Sequence, residues 1–184
     1  MALTETPICN FGEKAKNFNL LSIENNKVSL NDIKGKNGTL IMFICNHCPY
    51  VKAVIKDIAQ DVKFLESLGI KSAAIMSNDT KNYPEDSFEN MISFSKLHSF
   101  SFPYLIDETQ EVAKDYGAVC TPDFFGYNKK FELQYRGRIR ELKNLKPTRN
   151  EDSDLRKAMK LVATSEKGPI NQIPSMGCNI KWCK

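Results

Sequence analysis

Two cysteines three residues apart, Cys45 and Cys48, end the apolar stretch Ile41-Met-Phe-Ile-Cys-Asn-His-Cys-Pro-Tyr-Val-Lys-Ala53. A cysteine is nucleophilic as the thiolate, which an unperturbed side chain reaches only near pH 8.5. The unpaired N–H groups and positive dipole of a helix N-terminus lower that value. Pro49 fixes where the helix begins, because proline is preferred as the first helical residue, where its missing N–H costs nothing. Cys48 is then the capping residue and the candidate nucleophile. Were Cys45 to open the helix, Pro49 would fall beyond the first positions, where a donor starts to be needed.

A strand must deliver these residues and a helix must receive them. Thr39 to Ile44 is continuously apolar and rich in β-branched residues, as suits a strand covered on both faces. After Pro49, Val51, Val54, Ile55, Ile58, Val62 and Leu65 recur at helical spacing until Leu68-Gly69. Ile70 to Ser77 reads as a second buried strand, which makes a right-handed βαβ crossover with parallel strands. Before it, Phe18–Ile23 and Val28–Leu30 form a hairpin turning at Asn25-Asn26. Beyond it come a polar loop over 78–86, a helix capped by Asp86 or Ser87, and a strand at Phe102–Ile106. That helix is expected to bury Phe88, Met91, Ile92, Phe94 and Leu97. A short helix at Glu111–Tyr116, an antiparallel pair at Phe124–Tyr127 and Phe131–Tyr135, and a helix over Asp154–Ala163 follow. The chain is read as one α/β domain over 1–184. Residues 1–38 are an N-terminal hairpin extension, and residues 165–184 are an irregular tail with two prolines after Gly168 and no periodicity.

Composition narrows the function classes. With 184 residues there is enough chain for a sizeable core. A net charge of +4 comes from scattered lysines rather than a basic stripe, so nucleic acid is not the expected partner. The start Met-Ala-Leu-Thr-Glu-Thr-Pro lacks a signal-peptide pattern and no stretch is apolar enough to span a bilayer, so a cytoplasmic location and no membrane partner are expected. Six cysteines in that setting suggest catalytic or metal-binding thiols rather than a disulfide framework.

Strand, helix, strand, helix, hairpin and terminal helix is the thioredoxin order with a strand and a helix inserted: a mixed central sheet with helices on both faces. Phe43-Ile-Cys-Asn-His-Cys48 resembles the superfamily's strand end, where an aromatic precedes the nucleophile by five positions, and Tyr116-Gly-Ala-Val-Cys-Thr-Pro-Asp-Phe-Phe125 resembles its Tyr-Gly-Val...Thr-Pro segment. That likeness implies a cis Thr121–Pro122 bond facing the cysteine. Nearly the whole chain, including Tyr-Pro-Glu-Asp-Ser, Phe-Pro-Tyr-Leu, Tyr-Arg-Gly-Arg-Ile and the late Gly-Cys-Asn-Ile-Lys-Trp, is similar to the peroxiredoxin-like redoxins grouped with alkyl hydroperoxide reductase and thiol-specific antioxidant proteins. The resemblance implies a thiol-dependent oxidoreductase with Cys48 in the peroxidatic position, a disulfide or peroxide substrate, and recycling by a thioredoxin-like reductant.

In this register Val51 stands where thioredoxins keep their second cysteine, so the resolving thiol lies elsewhere. Cys45 is favoured, because a disulfide needs Cα atoms within about 7 Å and three residues of loop satisfy that readily. Cys120, two residues before Pro122, is the alternative, and Cys178 a third candidate carried by the resemblance. True peroxiredoxins hold a hydroxyl residue three positions before the nucleophile and a proline seven before it; here those positions are Cys45 and Ile41. Losing a hydrogen bond to the leaving oxygen can cost roughly 10²-fold, so efficient peroxidase activity is not expected; the expected reaction is attack of Cys48 on a disulfide or a peroxide with Cys45 resolving, and a genuine thiol peroxidase, resolved by Cys120 or Cys178, is the alternative. No cofactor or metal is expected; a non-catalytic metal-binding or redox-sensing domain, with His47, Cys178 and Cys183 as further ligands, is the competing reading from another class. His47 tunes the thiol or is a solvated loop residue, Cys9, Cys183 and His98 have no assigned role, and Arg136 and Arg138 read as surface charges on an edge strand whose exposure also makes a homodimer conceivable.

Overall fold

The computed structural model describes residues 3–149 and 151–183. Its centre is β4 (Gly38–Phe43), preceded by β1 (Leu3–Glu5), β2 (Asn19–Ser22) and β3 (Lys27–Ser29) and followed by α1 (Pro49–Ser67) and β5 (Ile70–Met76). After a 3₁₀ turn at Pro84–Asp86 come α2 (Phe88–Leu97), β6 (Tyr104–Ile106), α3 (Glu111–Tyr116), β7 (Cys120–Thr121), β8 (Asp123–Tyr127) and β9 (Leu133–Tyr135). The chain continues through β10 (Leu142–Lys143), β11 (Lys146–Pro147), α4 (Asp154–Ser165) and β12 (Met176–Asn179).

A seven-stranded mixed sheet runs β3-β2-β6-β5-β4-β8-β9. β4 pairs parallel with β5 on one side and antiparallel with β8 on the other, so it has no free edge. Its uninterrupted apolar sequence follows from being covered twice. Leu40 and Met42 pack into the layer of α1 and α4, whereas Ile41 and Phe43 face Tyr116 of α3, Phe125 and the region of the β2–β3 hairpin. The fold class is that read from the sequence. No helix among the described residues is long and apolar enough to cross a membrane.

The α1 stripe lies where its spacing puts it: Val51, Val54, Ile55, Ile58, Val62 and Leu65 are all buried. Asp57 and Asp61 are buried with them. Asp57 pairs with Arg140 (3.1 Å) and Arg149 (3.0 Å), and Asp61 pairs with Arg156 (2.8 Å) and accepts from Ser153, the N-cap of α4. These contacts fasten the β10–β11 segment and α4 to α1.

Three expectations need correction. Leu97 does not join the buried face of α2; it is 76% exposed at the last turn, while Met91 and Phe94 carry the packing. Arg136 is no surface charge: it is buried, with its guanidinium 3.0 Å from the fully buried Asp123, 2.7 Å from the Gly117 carbonyl and stacked over Phe125 at 4.4 Å. The tail is not irregular throughout. Met176–Asn179 is a strand lodged between β1 and β7 in a separate three-stranded sheet, with Leu3 and Thr121 opposite Cys178 on its two sides.

Candidate active site

Pro49 is the first residue of α1 and Cys48 its N-cap, with extended backbone angles (φ −64°, ψ 123°). β4 ends at Phe43, and residues 44–48 bridge strand and helix at the carboxyl end of the sheet. The Thr121–Pro122 peptide bond is cis, and it brings β7 and β8 against that bridge. Four cysteines are buried in this region: Cys45, Cys48, Cys120 and Cys178.

They are not equivalent. Cys48 Sγ lies 3.0 Å from Cys178 Sγ and 3.2 Å from the Thr121 carbonyl oxygen. Cys45 Sγ is 3.3 Å from Thr121 Oγ1. Cys120 Sγ is directed to the Pro122 carbonyl, 3.8 Å away. Of the candidates for a second thiol, the structure therefore sets Cys178 in sulfur-to-sulfur contact with Cys48, Cys45 against the Thr121 hydroxyl, and Cys120 turned aside. Cys9 and Cys183 lie outside this group, half-buried and exposed respectively.

Cys178 reaches its place because of the residue before it. A Cβ at Gly177 would lie 2.0 Å from the Thr121 carbonyl oxygen, so only glycine allows β12 to approach β7 this closely. The late Gly-Cys-Asn is thus a docking motif: glycine for the approach, cysteine for the thiol.

Local electrostatics separate the thiols. Cys48 is brought down to about 5, first by the hydrogen bond from Cys45, against the opposing effect of burial, with further help from the Cys178 thiol. The N–H groups of Val51 and Cys178 contribute as well, at looser geometry than a capping hydrogen bond. The Thr121 carbonyl, which accepts from the protonated thiol, works the other way. Burial raises Cys178 to about 12, and the interaction with the Cys48 thiolate, followed by burial, raises Cys45 well above the ordinary thiol value. The ordering favours the thiolate at Cys48 over its two sulfur neighbours. Titrating the ultraviolet thiolate absorbance of the reduced protein should show one thiolate appearing as pH rises through about 5, absent in Cys48→Ser; no thiolate until pH 8 or above would contradict this ordering.

A second layer holds the bridge. Asp86, fully buried, accepts from the backbone N–H groups of Asn46 (2.8 Å) and His47 (3.3 Å) through one oxygen, and meets His47 Nδ1 (2.7 Å) and Asn78 Nδ2 (2.8 Å) through the other. Burial would raise this carboxyl, but the hydrogen bonds from His47 and Asn78 keep it below its ordinary range, and His47 is raised in turn by Asp86. Tyr104 Oη donates to Asn46 Oδ1 at 2.9 Å. Helix α2 is capped by Ser87, which frees Asp86 for this role. The sequence offered one signal for it: an Asn/Asp-rich loop, 78–86, between a buried strand and a helix.

Donor atoms of Cys45, His47 and Asp86 come within 4.8 Å of one another. Both Asp86 oxygens already accept two hydrogen bonds each, and His47 Nδ1 is engaged with one of them, so the cluster is complete as a hydrogen-bonded unit. Of the ligands considered beside them, Cys183 is exposed with its N–H bonded to Gln110.

Residues 11–142 match the AhpC/TSA family, a span that takes in β4, the cysteine pair, α1 and the cis-proline segment. The chain belongs to the AhpC/TSA family. The fold resembles solved structures across its whole length. A conserved uncharacterised protein from Geobacillus kaustophilus is 38% identical, with a TM-score of 0.92 over 100% of this chain and 97% of that one. A hypothetical protein from Sinorhizobium meliloti 1021 is 35% identical, with a TM-score of 0.90 over 98% of each chain. Among more distant structures, a putative thiol:disulfide interchange protein DsbE from Chlorobium tepidum shares 16% identity and the fold, with a TM-score of 0.62 over 85% of this chain and 99% of that one. No curated protein matches. Family and fold together support thiol-dependent redox function; β12 and Cys178 lie beyond the family match but inside both full-length structural alignments.

Proposed function

We propose that this AhpC/TSA protein is a two-cysteine thiol peroxidase in which Cys48 is the nucleophile and Cys178 the resolving thiol. The observation that carries the reading is the 3.0 Å contact between the two sulfurs, one low in pKa and one high. Cys45, the residue favoured from loop proximity, serves better in support of the thiolate: its thiol lowers Cys48 from the position where true peroxiredoxins hold a hydroxyl.

Burial favours a peroxide over a protein disulfide. Cys48 is 0% exposed, and the edge of β7 beside the cis-proline, where an extended peptide could pair, is taken by the protein's own β12. A hydroperoxide delivers only one oxygen atom to the sulfur, whereas a mixed disulfide would leave a bulky group where Cys178 now packs.

The chemistry balances as follows. The Cys48 thiolate attacks the terminal oxygen of a hydroperoxide, the O–O bond breaks, and the departing alkoxide takes a proton to leave as the alcohol. Cys48 is now a sulfenic acid. The Cys178 sulfur attacks it, the S–O bond breaks, and the hydroxide leaves as water with the Cys178 proton. An external dithiol of the thioredoxin type returns two electrons and restores both thiols.

Mixing the reduced protein with one equivalent of hydrogen peroxide and mapping the product by mass spectrometry tests the reading. The expected product is a Cys48–Cys178 disulfide formed faster than the protein reduces insulin. A Cys45–Cys48 or Cys48–Cys120 link, or an equally slow reaction in Cys48→Ser, overturns it.

A further inference from the structure

The two sulfurs sit on separate elements, the β4–α1 bridge and β12, so something must hold one against the other. β12 itself pairs with β7 and β1, not with the bridge. One connection runs through a buried amide, beside the contact of Cys48 with the carbonyl of Thr121, the residue paired with Cys178. Asn78 donates from Nδ2 to Asp86 Oδ2 at 2.8 Å, on the carboxylate that holds the Asn46 and His47 N–H groups between Cys45 and Cys48. From Oδ1 the same side chain accepts the N–H of Lys181, three residues beyond Cys178, at 2.9 Å. The Lys181 carbonyl is held as well, by the Asp79 N–H at 2.8 Å and Gln110 Nε2 at 2.8 Å. Asn78 is nine-tenths buried, so no water competes for either bond at full strength.

We infer that Asn78 is a positioning residue that sets the Cys48–Cys178 separation by tying the nucleophile's bridge, through Asp86, to the segment that carries the resolving thiol. This rests on the reading of Cys178 as the resolving thiol. An amide suits the position because it donates to a carboxylate on one side and accepts from an N–H on the other; aspartate offers only acceptors and alanine neither. A shift of about 1 Å between reacting groups can cost about 10²-fold in an intramolecular step. The first step, attack of Cys48 on an external peroxide, does not involve the β12 sulfur as a reactant and feels that distance only through the help the Cys178 thiol gives the Cys48 thiolate.

Single-turnover oxidation with hydrogen peroxide separates the steps, sulfenic acid being trapped by a dimedone-type reagent and disulfides mapped after acid quench. Asn78→Ala should keep the rate of sulfenic acid formation within about threefold and slow disulfide formation by at least about tenfold. A variant whose near-ultraviolet circular dichroism matches the wild type but which forms the Cys48–Cys178 bond at the wild-type rate overturns the inference. Should Asn78→Ala fail to fold, Asn78→Asp, which keeps the size and the acceptor for Lys181, is expected to show the same split between steps, and an unslowed second step there overturns it equally. Cys178→Ser tells the two proposals apart. If it forms a Cys45–Cys48 disulfide as fast as the wild type forms its own, the resolving assignment falls and the role of Asn78 with it. If it loses the second step while Asn78→Ala retains it, only the role of Asn78 falls.

Discussion

Cys178→Ser should still consume one equivalent of peroxide and then stop. Serine keeps a hydroxyl donor 3.0 Å or so from the Cys48 sulfur, so the thiolate loses little of its stabilisation, but a hydroxyl cannot displace water from a sulfenic acid. The missing step is intramolecular between groups in contact, and no external thiol matches that proximity at ordinary concentrations. Turnover with a thioredoxin-type reductant should fall by at least about 10²-fold, with the sulfenic acid accumulating and then advancing to sulfinic acid under excess peroxide. Cys120→Ala, whose sulfur is turned toward the Pro122 carbonyl, should leave turnover near the wild-type value. Peroxide-dependent oxidation of the reductant, followed alongside mass spectrometry of the trapped protein, checks both. Wild-type turnover in Cys178→Ser, or its loss in Cys120→Ala, would move the resolving role to another cysteine.

Arg136→Ala is expected to be the most destabilising single change described here that touches no reactive sulfur. Asp123, next to the cis-proline, is fully buried, and burial raises it to about 6 even with Arg136 lowering it through charge and hydrogen bonds at 3.0 and 3.4 Å. Removing one partner of a buried pair typically costs about 3–5 kcal/mol, or on the order of 10 °C in Tm for a domain of this size. The pH dependence has a definite sign. A carboxyl whose folded value lies above its unfolded value of 3.8 favours folding when protonated, so its contribution is lost as pH rises through the folded value. Without Arg136 that value rises further. The gap in Tm between wild type and Arg136→Ala should therefore widen as pH goes from 4 through 6 and beyond. It does not close at low pH, because the hydrogen bond to Gly117 and the stacking on Phe125 are gone at any pH. Thermal unfolding by circular dichroism across that range measures it; a gap that narrows with rising pH would contradict the account.

These two sites mark where the sequence could be read and where it could not. The β4 run, the Pro49 start and the α1 spacing are local signals, and the strand, the helix and the position of Cys48 follow from them without knowledge of the rest. Arg136, read as a solvent-facing charge on a strand, instead follows the end of β9 and is buried, which could not be known until its partner was. Asp123 faces it only because β8 and β9 pair as they do. Strand β12 was illegible for another reason. Met-Gly-Cys-Asn has weak strand propensity and no alternation, and the strand exists because two ready edges, β1 and β7, accept it. Cys178 could be noticed as a motif, yet its distance to Cys48 is a tertiary fact. The same holds for Asp86, which looked like a helix cap and instead turns inward to the Asn46–His47 backbone, leaving the cap to Ser87.

The register that sets Leu3 and Thr121 on either side of Cys178 joins segments separated by almost the whole described chain. On a ribosome, β4, α1 and β5 emerge and can pack well before Met176–Asn179 has been made. For that interval Cys48 has Cys45 as its neighbour and no partner on β12, and the pairing that completes the pocket has one of the longest loop closures in the molecule. The sulfur pair is therefore assembled last: a nascent chain carries Cys48 without Cys178, and the two sulfurs come into contact only once β12 has been made and paired.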